Sequence, residues 1–197
     1  MNRMELLRQI KDGVVNLKRS PLYRERIKNK VFPVIGEGSN HAKIMFVGEA
    51  PGRNEARTGR PFCGATGKIL DELFSSIGLD RKDIYITSVV KDRPPSNRDP
   101  LPGEIKAYGP FLDRQIEIIR PKVVVALGRF AMDYLMRRFG LERGLKPISK
   151  MHGKIFDAKV SYGKIKIIPL YHPAVAIYNR TTKDTLVKDF QTLKDFK

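Results

Sequence analysis

Cysteine is nearly absent. Cys63 is the only one in 197 residues, which excludes an intramolecular disulfide and any metal centre built from several thiolates. With nothing nearby in the sequence to lower its pKa, Cys63 reads as a small buried hydrophobe rather than a nucleophile. Long apolar runs are missing as well. No stretch approaches the ~18 uncharged apolar residues of a membrane span, and residues 1–30 never form the apolar block of a signal peptide. A cytoplasmic protein with no membrane partner is therefore expected. Acidic residues are in short supply: 21 Asp and Glu stand against 38 Lys and Arg, a formal net charge of +17. Such an excess favours a polyanionic partner, because Lys and Arg neutralising phosphates drive non-specific nucleic-acid binding. Much of it is local. Residues 1–30 hold nine Lys or Arg against three Asp or Glu, and residues 137–166 hold nine against two. Nucleotide-binding signatures also fail. Gly64-Ala65-Thr66-Gly67-Lys68 suggests a phosphate loop, but Phe62 stands where its first glycine belongs and Ile69 follows the lysine. No Gly-x-Gly-x-x-Gly follows the first apolar strand.

What is present reads as one α/β domain over 1–197, with a basic helical segment at 1–30. Met4, Leu7, Ile10, Val14 and Leu17 recur at spacings of three and four, which predicts a helix stopped by Pro21. Lys43-Ile-Met-Phe-Val47 is a short buried strand that ends at Gly48-Glu49-Ala50-Pro51-Gly52. Ile69, Leu70, Leu73, Phe74 and Ile77 mark a helix closed by Gly78. The alternation continues with a strand at 84–90, a helix at 103–119 with a break at Pro110 allowed for, and a strand at 123–127. A helix after Gly128 has Phe130, Tyr134, Leu135 and Phe139 inward. A hairpin around Ser161-Tyr162-Gly163 and a last helix carrying Leu186, Phe190 and Leu193 follow. Strands apolar on both faces imply a parallel sheet covered by helices.

In such sheets ligands bind beyond the carboxyl ends of the strands. Four strand ends qualify: 48–52, 88–95, 128–129 and 171–174. Glu49 follows an apolar strand directly, where a carboxylate is costly unless it is hydrogen-bonded or used. It either caps its own loop or does chemistry. His172 ends the last strand, next to Pro173, and is either a structural histidine or a partner of Glu49. His41 and His152 lie in polar connections and read as surface residues.

The segments GEAPGRNEARTGRPFCGATGKIL, IYITSVVKDRPPSNRDPLPGE, VVVALG and YHPA, in this order from about residue 35 to the C-terminus, resemble the family 4 type of uracil-DNA glycosylase. The resemblance implies a three-layer α/β/α domain with a four-stranded, mainly parallel central sheet. It also implies a monofunctional DNA glycosylase that hydrolyses the bond joining a flipped, deaminated base, first of all uracil, to deoxyribose. By the same resemblance Phe62 stacks on the base, His172 donates to a pyrimidine carbonyl, and Glu49 orients water and favours the sugar cation. Gly48, Ala50, Glu55 and Ser88 complete the base pocket. Pro94, Pro95 and Ser96, then Gly128 and Arg129, match phosphate contacts. Pro173, Ala174 and Ile177 fall in an intercalating loop, beside which Arg180 holds the backbone.

Two positions depart from the family pattern. The cysteines that carry a four-iron four-sulfur cluster in these enzymes align with Leu17, Ser20, Asp92 and Tyr108, so no iron-sulfur cluster, and no other cofactor, is expected. Ser88 stands where the family has an asparagine that both donates to and accepts from uracil. A shorter hydroxyl offers a single donor. Hypoxanthine or xanthine are accordingly alternative bases, and a non-catalytic protein binding damaged or single-stranded DNA is the alternative to an enzyme. The implied partner is DNA containing a damaged or deaminated base, met by a monomer in the cytoplasm at the nucleoid.

Overall fold

The computed structural model describes residues 2–196. Helix α1 (Arg3–Val15) opens on a capping box: the Asn2 side chain accepts from the Glu5 amide while the Glu5 carboxylate accepts from the Asn2 amide. Ile10 and Val14 form its buried stripe. Pro21, expected only as a stop, starts a second helix, α2 (Pro21–Lys28), capped by the Ser20 hydroxyl on the Leu22 amide. Proline suits the first helical position because its missing N–H would have had no partner there.

The strands are β1 (Glu37–Gly38), β2 (Ile44–Gly48), β3 (Tyr85–Ser88), β4 (Val123–Leu127), β5 (Phe156–Val160) and β6 (Gly163–Leu170). Between β2 and β3 lie α3 (Arg53–Thr58) and α4 (Ala65–Ser76); α5 (Pro102–Ile119) leads to β4. Helices α6 (Arg129–Arg138) and α7 (Ile148–Met151) precede β5, and α8 (Val175–Tyr178) and α9 (Arg180–Phe190) follow β6. The sheet runs β1-β3-β2-β4-β6-β5. Its four central strands are mutually parallel, as expected. The sheet is nonetheless six-stranded, because β1 and β5 add antiparallel edges that the four-strand expectation left out. The predicted hairpin supplies β5.

Period-two alternation divides the sheet into two faces. Met45, Val47, Val124 and Ala126 pack with Leu112 and Ile116 of α5 and Leu135 and Met136 of α6. Ile44, Phe46, Val123 and Val125 pack with Leu70 and Phe74 of α4 and Leu186 and Phe190 of α9. Three layers result. Helix α5 crosses Pro110 unbroken, so the break allowed for there does not occur. On α6 the buried stripe is Ala131, Met132, Leu135 and Met136, whereas Phe130 and Tyr134 are only half-buried.

The N-terminal helices dock on α5 and on the loop after β3 through a third core of Ile10, Val14, Leu17, Leu22, Val90 and Tyr108. Inside it lies a buried polar knot. The Arg26 guanidinium donates to both Asp92 oxygens at 3.1 and 2.9 Å, and the Tyr108 hydroxyl donates to Asp92 at 2.6 Å. Ser20 lies beside the Tyr108 hydroxyl. Burial pushes the Asp92 carboxyl up, while Tyr108 and Arg26 hold it down. The four positions aligned with cluster cysteines thus meet here, filled by interlocked side chains that offer no thiolate. Removing one member of such a pair leaves a buried charge unmatched. Asp92→Ala is expected to lower stability by about 3 to 5 kcal/mol, read from chemical denaturation against wild type.

Candidate active site

The carboxyl ends of β2, β3 and β6 open onto a cleft of about 360 Å³ lined by Glu49, Ala50, Glu55, Phe62, Ser88, His172 and Ala174, among others. These seven residues, all singled out in the sequence, therefore share one cavity. Gly48 belongs to its floor: a Cβ there would come within 3.0 Å of the Phe62 ring and 3.7 Å of the Ser88 hydroxyl. A side chain at this position would press on the aromatic ring.

Phe62 reaches this position from a loop rather than a strand. Its backbone is in the left-handed region, φ 48°, a conformation a bulky residue adopts only when its surroundings impose it. Arg81 supplies part of that imposition by donating to the carbonyls of Pro61 and Phe62. Gly67 supplies the rest, since a Cβ at that position would lie 1.8 Å from the Phe62 carbonyl oxygen. Gly67 of the apparent phosphate loop thus serves this close approach of α4 to Phe62.

His172 faces Phe62 with ring centroids 5.6 Å apart. Burial drops its pKa to about 4, so the imidazole is neutral at physiological pH. The Ala174 amide donates to its Nδ1 at 3.2 Å, which makes Nδ1 the acceptor and leaves the proton on Nε2. The ring is a neutral hydrogen-bond donor. Pro173, expected at the DNA surface, is buried beneath the turn, and Gly128, φ 90°, packs against the His172 side chain. Pro173 is closed off from solvent, while Gly128 is half-buried against the histidine.

Glu49 is half-buried. Its carboxyl is pushed up to about 7 by burial, then by the charge of Asp99, with Arg129 pulling it back. Its main-chain carbonyl accepts from Val90 N–H at 3.0 Å, and Gly48's from Val89 N–H at 2.9 Å. The turn after β3 therefore holds the Glu49 loop in place. Arg129 is exposed and pairs with Asp99 at 2.5 Å.

Pro95 and Ser96 sit in a tight turn, Ser96 at φ 53°, and the neighbouring Pro94, Asn97 and Arg98 line the cleft. Arg98 was not expected in the site. It forks onto Glu104 at 2.9 and 2.6 Å, which fixes its side chain beside the cleft, and nothing in its local sequence signals this. Ile177 is exposed. The Arg180 side chain lies outside the described residues. Cys63 is exposed, with its sulfur 3.2 Å from the Thr58 hydroxyl, not the buried hydrophobe expected; the turn that buries Phe62 turns its neighbour outward. His152 is no ordinary surface residue either, because it bonds Asp189 at 2.7 Å and stacks on Tyr171. Among the described residues, no helix is long and apolar enough to cross a membrane.

A neutral donor, an aromatic plate, a hydroxyl on a strand end and a carboxylate with a raised pKa suit a flat, polar ring held edge-on, with charge developing beside it. Comparison with known proteins gives this arrangement a family. The sequence profile of the uracil DNA glycosylase superfamily matches residues 35–194. The type-4 uracil-DNA glycosylase of Sulfurisphaera tokodaii is 44% identical over 98% of this chain and 85% of its own length. That of Archaeoglobus fulgidus is 43% identical over 96% and 92%. A solution NMR structure of a Methanosarcina acetivorans protein superposes with a TM-score of 0.51 at 14% identity, covering 83% of this chain and 97% of that one, a likeness of fold alone.

Proposed function

The chain belongs to the uracil DNA glycosylase superfamily, and from that membership we propose that it is a DNA repair enzyme hydrolysing the N-glycosidic bond of uracil flipped out of DNA. The observation that carries this reading is the convergence of Phe62, Ser88, His172 and Glu49 on one cleft. Once the base is extruded, it stacks on Phe62, and its polar edge meets the Ser88 hydroxyl and His172 Nε2–H. As the bond to C1′ breaks, the electron pair stays on the base and the sugar becomes cationic. His172 donates to the carbonyl on which negative charge accumulates, and the Glu49 carboxylate lies on the side where a cation and an attacking water need an anion. Water adds its oxygen to C1′, one of its protons is taken up by Glu49, and the base leaves as an anion that is then protonated. Arg98, Arg129 and the turn at Pro95 and Ser96 meet the phosphates, with the +17 net charge giving binding a steep salt dependence.

We read the enzyme as free of cofactors. An iron-sulfur cluster of the type borne by family 4 enzymes does not fit Leu17, Ser20, Asp92 and Tyr108, because these offer no thiolate and their side chains already fill the core beside α1. No step of the reaction calls on one.

The test is a time course on oligonucleotides carrying uracil, hypoxanthine or xanthine, with alkaline cleavage of the abasic product. Uracil-dependent cleavage beyond one equivalent of enzyme is expected; binding without abasic sites on any substrate would leave only a DNA-binding role. The serine adds a second expectation. Ser88→Asn restores an amide that both donates and accepts, and it is expected to raise the preference for uracil over hypoxanthine roughly tenfold, the discrimination of one good two-point contact.

A further inference from the structure

Behind the strand that carries Ser88, two consecutive ionisable side chains are fully buried, Lys91 and Asp92. Asp92 is neutralised by Arg26. Lys91 instead donates to three neutral oxygens: Thr87 Oγ1 at 2.7 Å, the Ser88 carbonyl at 2.6 Å and Gln115 Oε1 at 2.6 Å. The Ser88 carbonyl and Gln115 Oε1 can only accept. The Thr87 hydroxyl also lies 2.7 Å from the Ile35 carbonyl and 3.2 Å from Gln115 Oε1, either of which accepts its proton. The Gln115 amide nitrogen donates to Ile35 O at 2.8 Å and to the Tyr85 hydroxyl at 3.1 Å, which turns its oxygen toward Lys91. Three oxygens therefore anchor one buried amine nitrogen. Burial pulls the Lys91 pKa down.

A buried amine therefore sits on the main-chain carbonyl of Ser88. On its other side the Ser88–Val89 peptide is fixed by the Val89 N–H bond to Gly48, and the next amide holds Glu49. We propose that Lys91 is a positioning residue for base selection: by pinning the Ser88 carbonyl, its side-chain amine orients the Ser88 hydroxyl and, through Val89 and Val90, the Gly48–Glu49 loop. The proposal rests on the glycosylase reading above. Lys91 touches no substrate and acts through Ser88.

The experiment measures kcat/KM on uracil and hypoxanthine oligonucleotides for wild type, Lys91→Met, Thr87→Val and Val14→Ala. Lys91→Met keeps the length and removes the donors; it is expected to lower the uracil-to-hypoxanthine ratio by about tenfold, the worth of one well-placed hydrogen bond. Thr87→Val removes one of the three acceptors with little change of shape and shifts the ratio in the same direction, which keeps the test open should Lys91→Met fail to fold. Val14→Ala opens a cavity in the N-terminal core and is expected to reduce stability with no change in the ratio. Active wild type with an unaltered ratio in Thr87→Val and in whatever Lys91→Met can be purified overturns the proposal alone. A wild type inactive on every base overturns the glycosylase reading and this proposal with it.

Discussion

His172→Ala is expected to lower the single-turnover rate of uracil excision by about two to three orders of magnitude, the usual cost of removing one donor aimed at developing negative charge. Three features of the histidine lead to this size of effect. Its Nδ1 is committed to the Ala174 amide, so the donor is Nε2–H in a fixed direction. Burial holds the pKa near 4, so the donor is a neutral imidazole throughout the physiological range and catalysis does not wait for its protonation. Gly128 and Pro173 leave the ring little freedom. The loss should fall on kcat, with KM for DNA nearly unchanged, because the hydrogen bond strengthens only as the base becomes anionic. His172→Gln, which keeps a donor, should recover part of the rate. A rate for His172→Ala within a fewfold of wild type would remove the histidine from the mechanism. The same titration affects folding. A histidine whose pKa falls from 6.5 to about 4 on folding leaves the unfolded chain binding the extra proton between those values, so its contribution to stability is lost as pH drops through that window.

The layout of the sheet was legible because buried parallel strands must be apolar on both faces, and few other segments of the chain are. Strand ends were legible for the complementary reason: Gly48, Gly128 and Pro173 interrupt those runs, and polar side chains such as Glu49 and His172 stand immediately after them. Legibility fails where partners are far apart in sequence. Arg26 and Asp92 are 66 residues apart and read separately as two ordinary charges, so the knot that fills the third core leaves no local trace. Lys91 reads the same way, as one more lysine of a basic chain, until Thr87, Ser88 and Gln115 surround it. The edge strand β1 is two residues long and antiparallel, too short for a period to register. Helix α2 was missed because proline signals both the end of one helix and the first turn of the next. Phe62 is the instructive intermediate. Its membership of the site was legible by resemblance, but the means, a left-handed backbone held by Arg81 and a glycine under its carbonyl, belongs to the tertiary structure.

Glu49→Gln is expected to lower kcat by about two to four orders of magnitude, the range seen when a positioned carboxylate is lost from acid–base or charge-stabilising duty. The pH profile distinguishes this from general damage. With the wild-type carboxyl near 7, the rate should rise as pH increases through about 7 and level off above it, because the ionised form is the active one. His172 titrates too low to add a step of its own. In Glu49→Gln the residual rate should be flat across the same interval, since glutamine has no proton to lose. Asp99 offers an independent check: its charge helps keep the Glu49 carboxyl high, so Asp99→Asn should move the inflection to lower pH without flattening it. Stability runs the other way. A carboxyl raised from 4.5 to about 7 on folding makes the native state the better proton binder between those values. Its contribution is complete below about 4.5 and fades as pH rises through 7. Ionising Glu49 therefore switches the site on at the expense of the fold, and Glu49→Gln, which keeps a neutral group in the cleft, should be more stable than wild type above pH 7 while being far less active. A Glu49→Gln enzyme that retained both the wild-type rate and its inflection near 7 would assign that titration to another group.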